Sequence, residues 1–167
     1  VNDLDLVVSG LEAKADGRRT YRFFEPGMGA RMHALRTLEL DLRRAIADNG
    51  FEIAYQPVVD LRDNRVTGCE ALLRWRHPVR GLIPPSEFIP VAEETGLINA
   101  LGEWVLNQAC AEAVSWPGDI KVAVNVSPVQ FRSQAFALKV AMALATSGLP
   151  ARRLELEVTE AILIRDD

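Results

Sequence analysis

After Gly50 the apolar pattern switches repeatedly between the period of a strand and that of a helix, and this constrains the fold more than any other feature of the 167 residues. Residues 51–61 alternate as a strand, Arg62-Asp63-Asn64 reads as a turn, and residues 66–75 alternate again, so the two runs are placed to pair as a hairpin. A loop containing Pro78, Pro84 and Pro85 follows, then a short helix after Ser86 and a longer helix over residues 99–115, stopped by Trp116-Pro117-Gly118. Pro90 is expected within the first turn of the short helix, where a missing N–H has no internal partner to lose. Residues 121–126 read as a compact apolar strand, residues 135–147 as a helix closed by Gly148, and residues 153–158 as a further strand. Strands joined by helical connections of this length predict an α/β fold with a parallel sheet and helices outside it, open or closed into a barrel.

Upstream of Gly50 the chain reads differently. Leu4, Val7, Val8 and Leu11 recur at helical spacing before Gly17, residues 18–24 read as a strand or extended arm, and Pro26-Gly27 breaks it. Met32, Leu35, Leu38, Leu42 and Ile46 then form one stripe of an amphipathic helix ended by Asn49-Gly50. Such a helix serves as a linker that transmits orientation or as the first layer of the domain after Gly50.

With 49% hydrophobic and 25% charged residues, the chain has the composition of a soluble globular protein able to bury a core. A net charge of -4 speaks against non-specific nucleic-acid binding, so an anionic ligand would need locally placed cations. No apolar run approaches the roughly 18 residues that span a bilayer, and no signal segment opens the sequence, so the expected location is cytoplasmic. Cys69 and Cys110 read as buried free thiols. His33 and His77 have no partner at metal-ligand spacing and read as surface residues.

The chemistry-bearing residues gather at strand ends. Parity places Glu70, Leu72 and Arg74 on one face of their strand, a carboxylate and a guanidinium together. On that segment alone, a solvated face with one salt bridge explains them equally. Asn125 ends its strand before Ser127-Pro128, where α/β proteins present side chains to ligands, although an Asn there also suits the start of a turn. In Leu154-Glu155-Leu156-Glu157-Val158-Thr159-Glu160, parity groups Glu155, Glu157 and Thr159, whereas Glu160 suits the first turn of a helix capped by Thr159. Glu70, Asn125 and Glu157 together offer two carboxylates and an amide oxygen, the donors that Mg²⁺ or Mn²⁺ prefers, and a set suited to phosphodiester hydrolysis.

Five segments in order carry a resemblance: Tyr55-Gln56-Pro57; Glu70-Ala71-Leu72-Leu73-Arg74-Trp75; IPPSEFIPVAEETGLI over residues 83–98; Asn125-Val126-Ser127-Pro128; and ELEVTE over residues 155–160. From about Thr37 to the end, the chain resembles the EAL domain family. The resemblance implies a modified (β/α) barrel that hydrolyses cyclic di-GMP to linear pGpG with Mg²⁺ or Mn²⁺. It implies Glu70, Asn125 and Glu157 as metal ligands, with Glu160 the alternative to Glu157, and Glu70 as a catalytic residue. Arg74 matches a phosphate-contacting arginine, and Gln56 and Leu72 match ligand-pocket positions. Cyclic di-GMP is the implied partner, together with a homodimer formed through the EAL domain.

Residues 13–26 (AKADGRRTYRFFEP) resemble the end of a GGDEF domain, although Leu11-Glu12 stands where that family usually has Tyr-Arg. The expected organisation is a GGDEF remnant over residues 1–27, a linker helix and the start of the EAL domain over 28–49, and the N-terminal half of the EAL domain over 50–167. The family pattern continues past ELEVTE to a DDFGTG strand end, a catalytic Lys, a Glu and a Gln, none of which falls in these residues. Asp166-Asp167 is not that Asp-Asp pair, because no strand and no FGTG accompany it. The segment by itself is therefore expected to bind metal weakly, to hydrolyse nothing, and to need a partner for its open strand edges. A non-catalytic cyclic di-GMP-binding or regulatory module is the other reading.

Overall fold

A helix, α1 (Met28–Ala47), precedes the first strand, and its end is set by local chemistry. Asn49 takes the left-handed conformation at φ 55°, one of the few residue types that does so at modest cost, and the Gly50 N–H returns to the Ala45 carbonyl at 2.9 Å. The structure, a computed structural model, describes residues 28–158. The expected features of residues 1–27, and Thr159, Glu160, Asp166 and Asp167, lie outside the described residues. The chain divides into two units, Val1–Leu40 and Asp41–Asp167. In the first, the stripe residues Met32 and Leu35 are exposed; in the second, Leu42 is fully buried.

Strands β1 (Phe51–Asp60) and β2 (Arg65–His77) form the predicted antiparallel hairpin, with Gln56 opposite Glu70 and Phe51 opposite Trp75. Its turn uses Asn64 at φ 56° and two aspartates, Asp60 and Asp63, that accept the backbone N–H groups of Arg62 and Arg65. The end of β2 also pairs with a three-residue strand, β3 (Gly81–Ile83), inside the proline-rich loop that the sequence pattern reads as irregular.

Helix α2 (Pro85–Glu94) starts with Pro84 as its N-cap residue and Pro85 in its first turn. That displaces Pro90 from its expected place: it is the sixth residue and lies in the helix interior. The Ser86 carbonyl there has no N–H to accept, and an interior proline costs up to about 3 kcal/mol relative to alanine. Since the Pro90 ring is exposed, Pro90→Ala is expected to stabilise the protein by about 1–3 kcal/mol, read as a higher urea midpoint.

Helix α3 (Ile98–Val114) leads to β4 (Lys121–Val126), a four-residue helix α4 (Pro128–Phe131), helix α5 (Phe136–Ser147), a 3-10 turn (Ala151–Arg153) and β5 (Leu154–Val158). Gly148, at φ 75°, closes α5 as predicted. Strands run in the order β1-β2-β4-β5, with β2, β4 and β5 parallel. This is the α/β arrangement of a partial (β/α) barrel with an antiparallel first strand. One face of the sheet (Ala71, Val122, Val124 and Val126) packs on the apolar sides of α3 and α5 in a continuous core. Phe51, Trp75 and Phe88 make a second buried cluster with ring centroids 5.5–6.0 Å apart. Tyr55 lies edge-on to Trp116, and burial, with Glu112 nearby, pushes its phenol up to about 12.

Cys69 and His77 depart from expectation, and Arg153 has surroundings that the sequence pattern does not show. Cys110 is buried, but Cys69 is only partly so; both thiols are free and held protonated by burial. His77 is not a surface residue. Its Nδ1 accepts the Val79 and Arg80 N–H groups, its Nε2 lies 3.3 Å from Asp41, and its ring meets Trp75 edge-on. The guanidinium of Arg153 is buried, and among the described residues it pairs with carbonyls and not with a carboxylate. Its Nε donates to the Ile120 carbonyl at 2.9 Å, and its Nη2 donates to the Ala113 carbonyl at 2.7 Å and the Trp116 carbonyl at 3.4 Å. It thereby caps the last carbonyls of α3, where the helix dipole favours a cation.

Candidate active site

Alternation along the strands sends the core residues to the helices and the chemistry to the other face. Cys69, Ala71 and Leu73 turn toward the helices, so Glu70, Leu72 and Arg74 share the opposite face with Ala123 and Asn125 of β4 and Glu155 and Glu157 of β5. Gln56 of β1 stands opposite Glu70, and Glu157 stands opposite Asn125. Glu155 is accounted for locally by its ion pair with Lys121, which leaves Glu157 as the carboxylate beside Asn125.

One contact joins the two strands at their functional ends. Asn125 Nδ2 donates to Glu70 Oε1 at 2.7 Å, across 55 residues of sequence. The amide nitrogen is thus engaged and Oδ1 remains as an oxygen donor. The Asn125 side chain is therefore used across the sheet and does not start the next turn. The turn after β4 is made by Ser127, whose Oγ accepts the Val129 N–H while Gln130 Oε1 accepts the Ser127 N–H, a capping box. The salt-bridge reading of Glu70 is also removed, because Arg74 directs Nη1 to the Leu73 carbonyl at 3.1 Å instead.

Leu72, Arg74 and Asn125 border a cavity of about 340 Å³ between the strand ends and helices α2 and α3. Its wall is mostly apolar, with Ile89, Leu101 and Val105 among the contributors, and carries one cation, Arg74, and one carboxylate, Glu93. A guanidinium in such surroundings interacts with an anion more strongly than it would in water. Gln56 and Glu157 are exposed on the same sheet face without bordering this cavity.

The donors fit a hard divalent cation in kind, since Glu70, Asn125 and Glu157 offer only oxygen. Among the described residues no three His, Cys, Asp or Glu side chains form a cage by themselves. The set present at these strand ends is thus two carboxylates and an amide. Three further residues, Glu93, Ser127 and Gln130, belong to this region although the sequence does not single them out. The spacing Ser127-Pro128-Val129-Gln130 carries the capping-box signal, whereas Glu93 is marked only by its place in the 83–98 segment, because its partner lies 34 residues away.

Residues 39–167 match the family model of the EAL domain. The chain belongs to the EAL domain family. Among curated relatives, an uncharacterised signalling protein of Caulobacter vibrioides is 51% identical over 154 residues, which is 92% of this chain and 19% of that protein. The bifunctional diguanylate cyclase/cyclic di-GMP phosphodiesterase MucR of Pseudomonas aeruginosa is 42% identical over 158 residues, 92% of this chain and 23% of that protein. The chain therefore spans about a fifth of the length of these two relatives. Among solved structures, the PaMucR phosphodiesterase in complex with c-di-GMP superposes with a TM-score of 0.73 at 42% identity, covering 78% of this chain and 54% of that one. The sheet with its antiparallel first strand is thus that of an EAL domain. No helix among the described residues is long and apolar enough to cross a membrane.

Proposed function

We propose that this EAL segment supplies part of the site of a cyclic di-GMP phosphodiesterase that opens the cyclic dinucleotide to linear pGpG. The observation that carries the reading is the Asn125 to Glu70 hydrogen bond at the strand ends, with Glu157 opposite Asn125 in the next strand. Two carboxylates and an amide oxygen on neighbouring strand ends are donors that a hard cation takes, which favours turnover over simple anion binding. Glu70, Asn125 and Glu157 would hold Mg²⁺ or Mn²⁺, which when bound lowers the pKa of water and polarises a phosphoryl oxygen.

The chain's own residues have separate tasks in this reading. Asn125 fixes the Glu70 carboxylate by its N–H. Arg74, which borders an apolar cavity, binds a phosphate oxygen and orients the diester. Gln56, facing Glu70 across the hairpin, and Leu72 border the ligand. In hydrolysis a water oxygen bonds to phosphorus, the P–O3′ bond breaks, and the proton released by water ends on the leaving oxygen.

The segment 50–167 is read as the N-terminal half of the EAL domain, 28–49 as its linker helix, and 1–27 as the end of a GGDEF domain. The whole protein is read as a cytoplasmic homodimer. Incubating the whole protein with cyclic di-GMP and Mn²⁺ is expected to yield pGpG by chromatography, and EDTA is expected to stop it. Tight binding of cyclic di-GMP with no pGpG would instead assign a receptor.

A further inference from the structure

Glu93, near the end of α2, has no part in that chemistry, yet it reaches the same strand end. Its Oε1 accepts the Ser127 hydroxyl at 2.6 Å. Ser127 stands two residues beyond Asn125, and its N–H is held in turn by Gln130 Oε1 at 3.1 Å. Gln130 is 6% exposed and packs so closely on α3 that a Cβ on Gly102 would sit 1.6 Å from its Nε2. The exit of β4 is therefore clamped by α2 through a carboxylate, by its own capping box, and by α3 through a glycine that leaves room for an amide.

The clamp acts where β2 stops pairing with β4, although β5 continues to pair on the other side. The β2 to β4 pairing ends at Ala71 opposite Val124, one residue short of Asn125. On the β2 side, Asn125 is held by its side-chain bond to Glu70, while on the β5 side Asn125 and Val126 stay paired with Glu157 and Val158, so the clamp secures the one side of the exit that the ladder leaves to a side chain. We infer that Glu93 is a positioning residue for Asn125: through Ser127 it fixes the β4 exit so that the Asn125 amide stays on Glu70 with its oxygen presented to the site. A charged acceptor makes this a short, strong hydrogen bond, and groups that orient ligands in this way typically carry 10–100-fold of metal affinity.

The inference rests on the phosphodiesterase reading for its consequence but not for its geometry, and the test separates the two. In the whole protein, Glu93→Ala is expected to weaken Mn²⁺ binding about 10-fold by electron paramagnetic resonance titration, whereas Glu93→Gln, which keeps an acceptor oxygen for Ser127, stays within about twofold of the parent. A crystal structure of Glu93→Ala is expected to show the Asn125 to Glu70 hydrogen bond broken. Unchanged Mn²⁺ affinity in Glu93→Ala, equal loss in both variants, or an intact Asn125 to Glu70 bond would overturn the inference. If the parent protein binds no Mn²⁺, the proposed function fails, and the crystal structure alone decides the role of Glu93.

Discussion

Glu70→Gln in the whole protein is expected to lower the rate of cyclic di-GMP hydrolysis by about 100-fold or more while leaving the fold intact. The substitution is nearly isosteric, and the new amide oxygen can still accept the Asn125 Nδ2 proton that Glu70 Oε1 accepts at 2.7 Å. What it removes is the negative charge. With that charge go the anionic donor for a divalent cation and the field that would steady water against the phosphoryl group. The thermal midpoint should hardly move, because the contact that ties β2 to β4 at this point survives. The measurements are kcat with Mn²⁺ and the midpoint of thermal unfolding. A kcat within about threefold of the parent would remove Glu70 from the reacting groups.

Arg153→Met is expected to cost about 3 kcal/mol of stability, seen as a lower urea midpoint, with no direct effect on the site. Arg153 is 6% exposed, and its guanidinium satisfies carbonyls at Ala113, Trp116 and Ile120. Methionine fills much of the same volume but donates nothing, so the Ile120 and Trp116 carbonyls would lose this donor and the Ala113 carbonyl would keep the Trp116 N–H, in a region that water reaches poorly. Arg153→Lys should recover part of the loss, since an ammonium keeps the charge near the end of α3 but cannot reproduce a planar fork. An unchanged midpoint for Arg153→Met would mean that water replaces the guanidinium at no cost.

These two residues also mark what the sequence could and could not reveal. The placement of Glu70 and Asn125 on one sheet face is legible, because strand parity and the end of an apolar run come from local rules. Arg153 is not, since nothing in Ala151-Arg152-Arg153 distinguishes the exposed Arg152, paired with Asp119, from its buried neighbour. The distinction arises only when the end of α3 arrives 40 residues away in sequence. Strand β3 escapes for a related reason: Gly81-Leu82-Ile83 is too short to show a period, and its extended form comes from pairing with Arg76 and its neighbours. Pro90 is misplaced by the sequence pattern because helix α2 begins at Pro85, and a proline preceding two more possible starts leaves the first turn ambiguous. His77 looks solvent-facing in sequence because its partners, Asp41 and two backbone N–H groups, are made by a tight turn and a helix outside its own strand.

The β1 to β2 hairpin has a consequence for the order in which the site comes into being. Gln56 and Glu70 face each other within one continuous stretch of chain, so that half is built by closing a short loop, an event on the microsecond scale. Asn125 reaches Glu70 across 55 residues, and only after α2 and α3 have been laid down and β4 has docked parallel to β2. During synthesis the first half of the site can therefore exist on the ribosome well before the second. The carboxylate waits for its amide, and of the two contacts at Glu70 the less local one forms second.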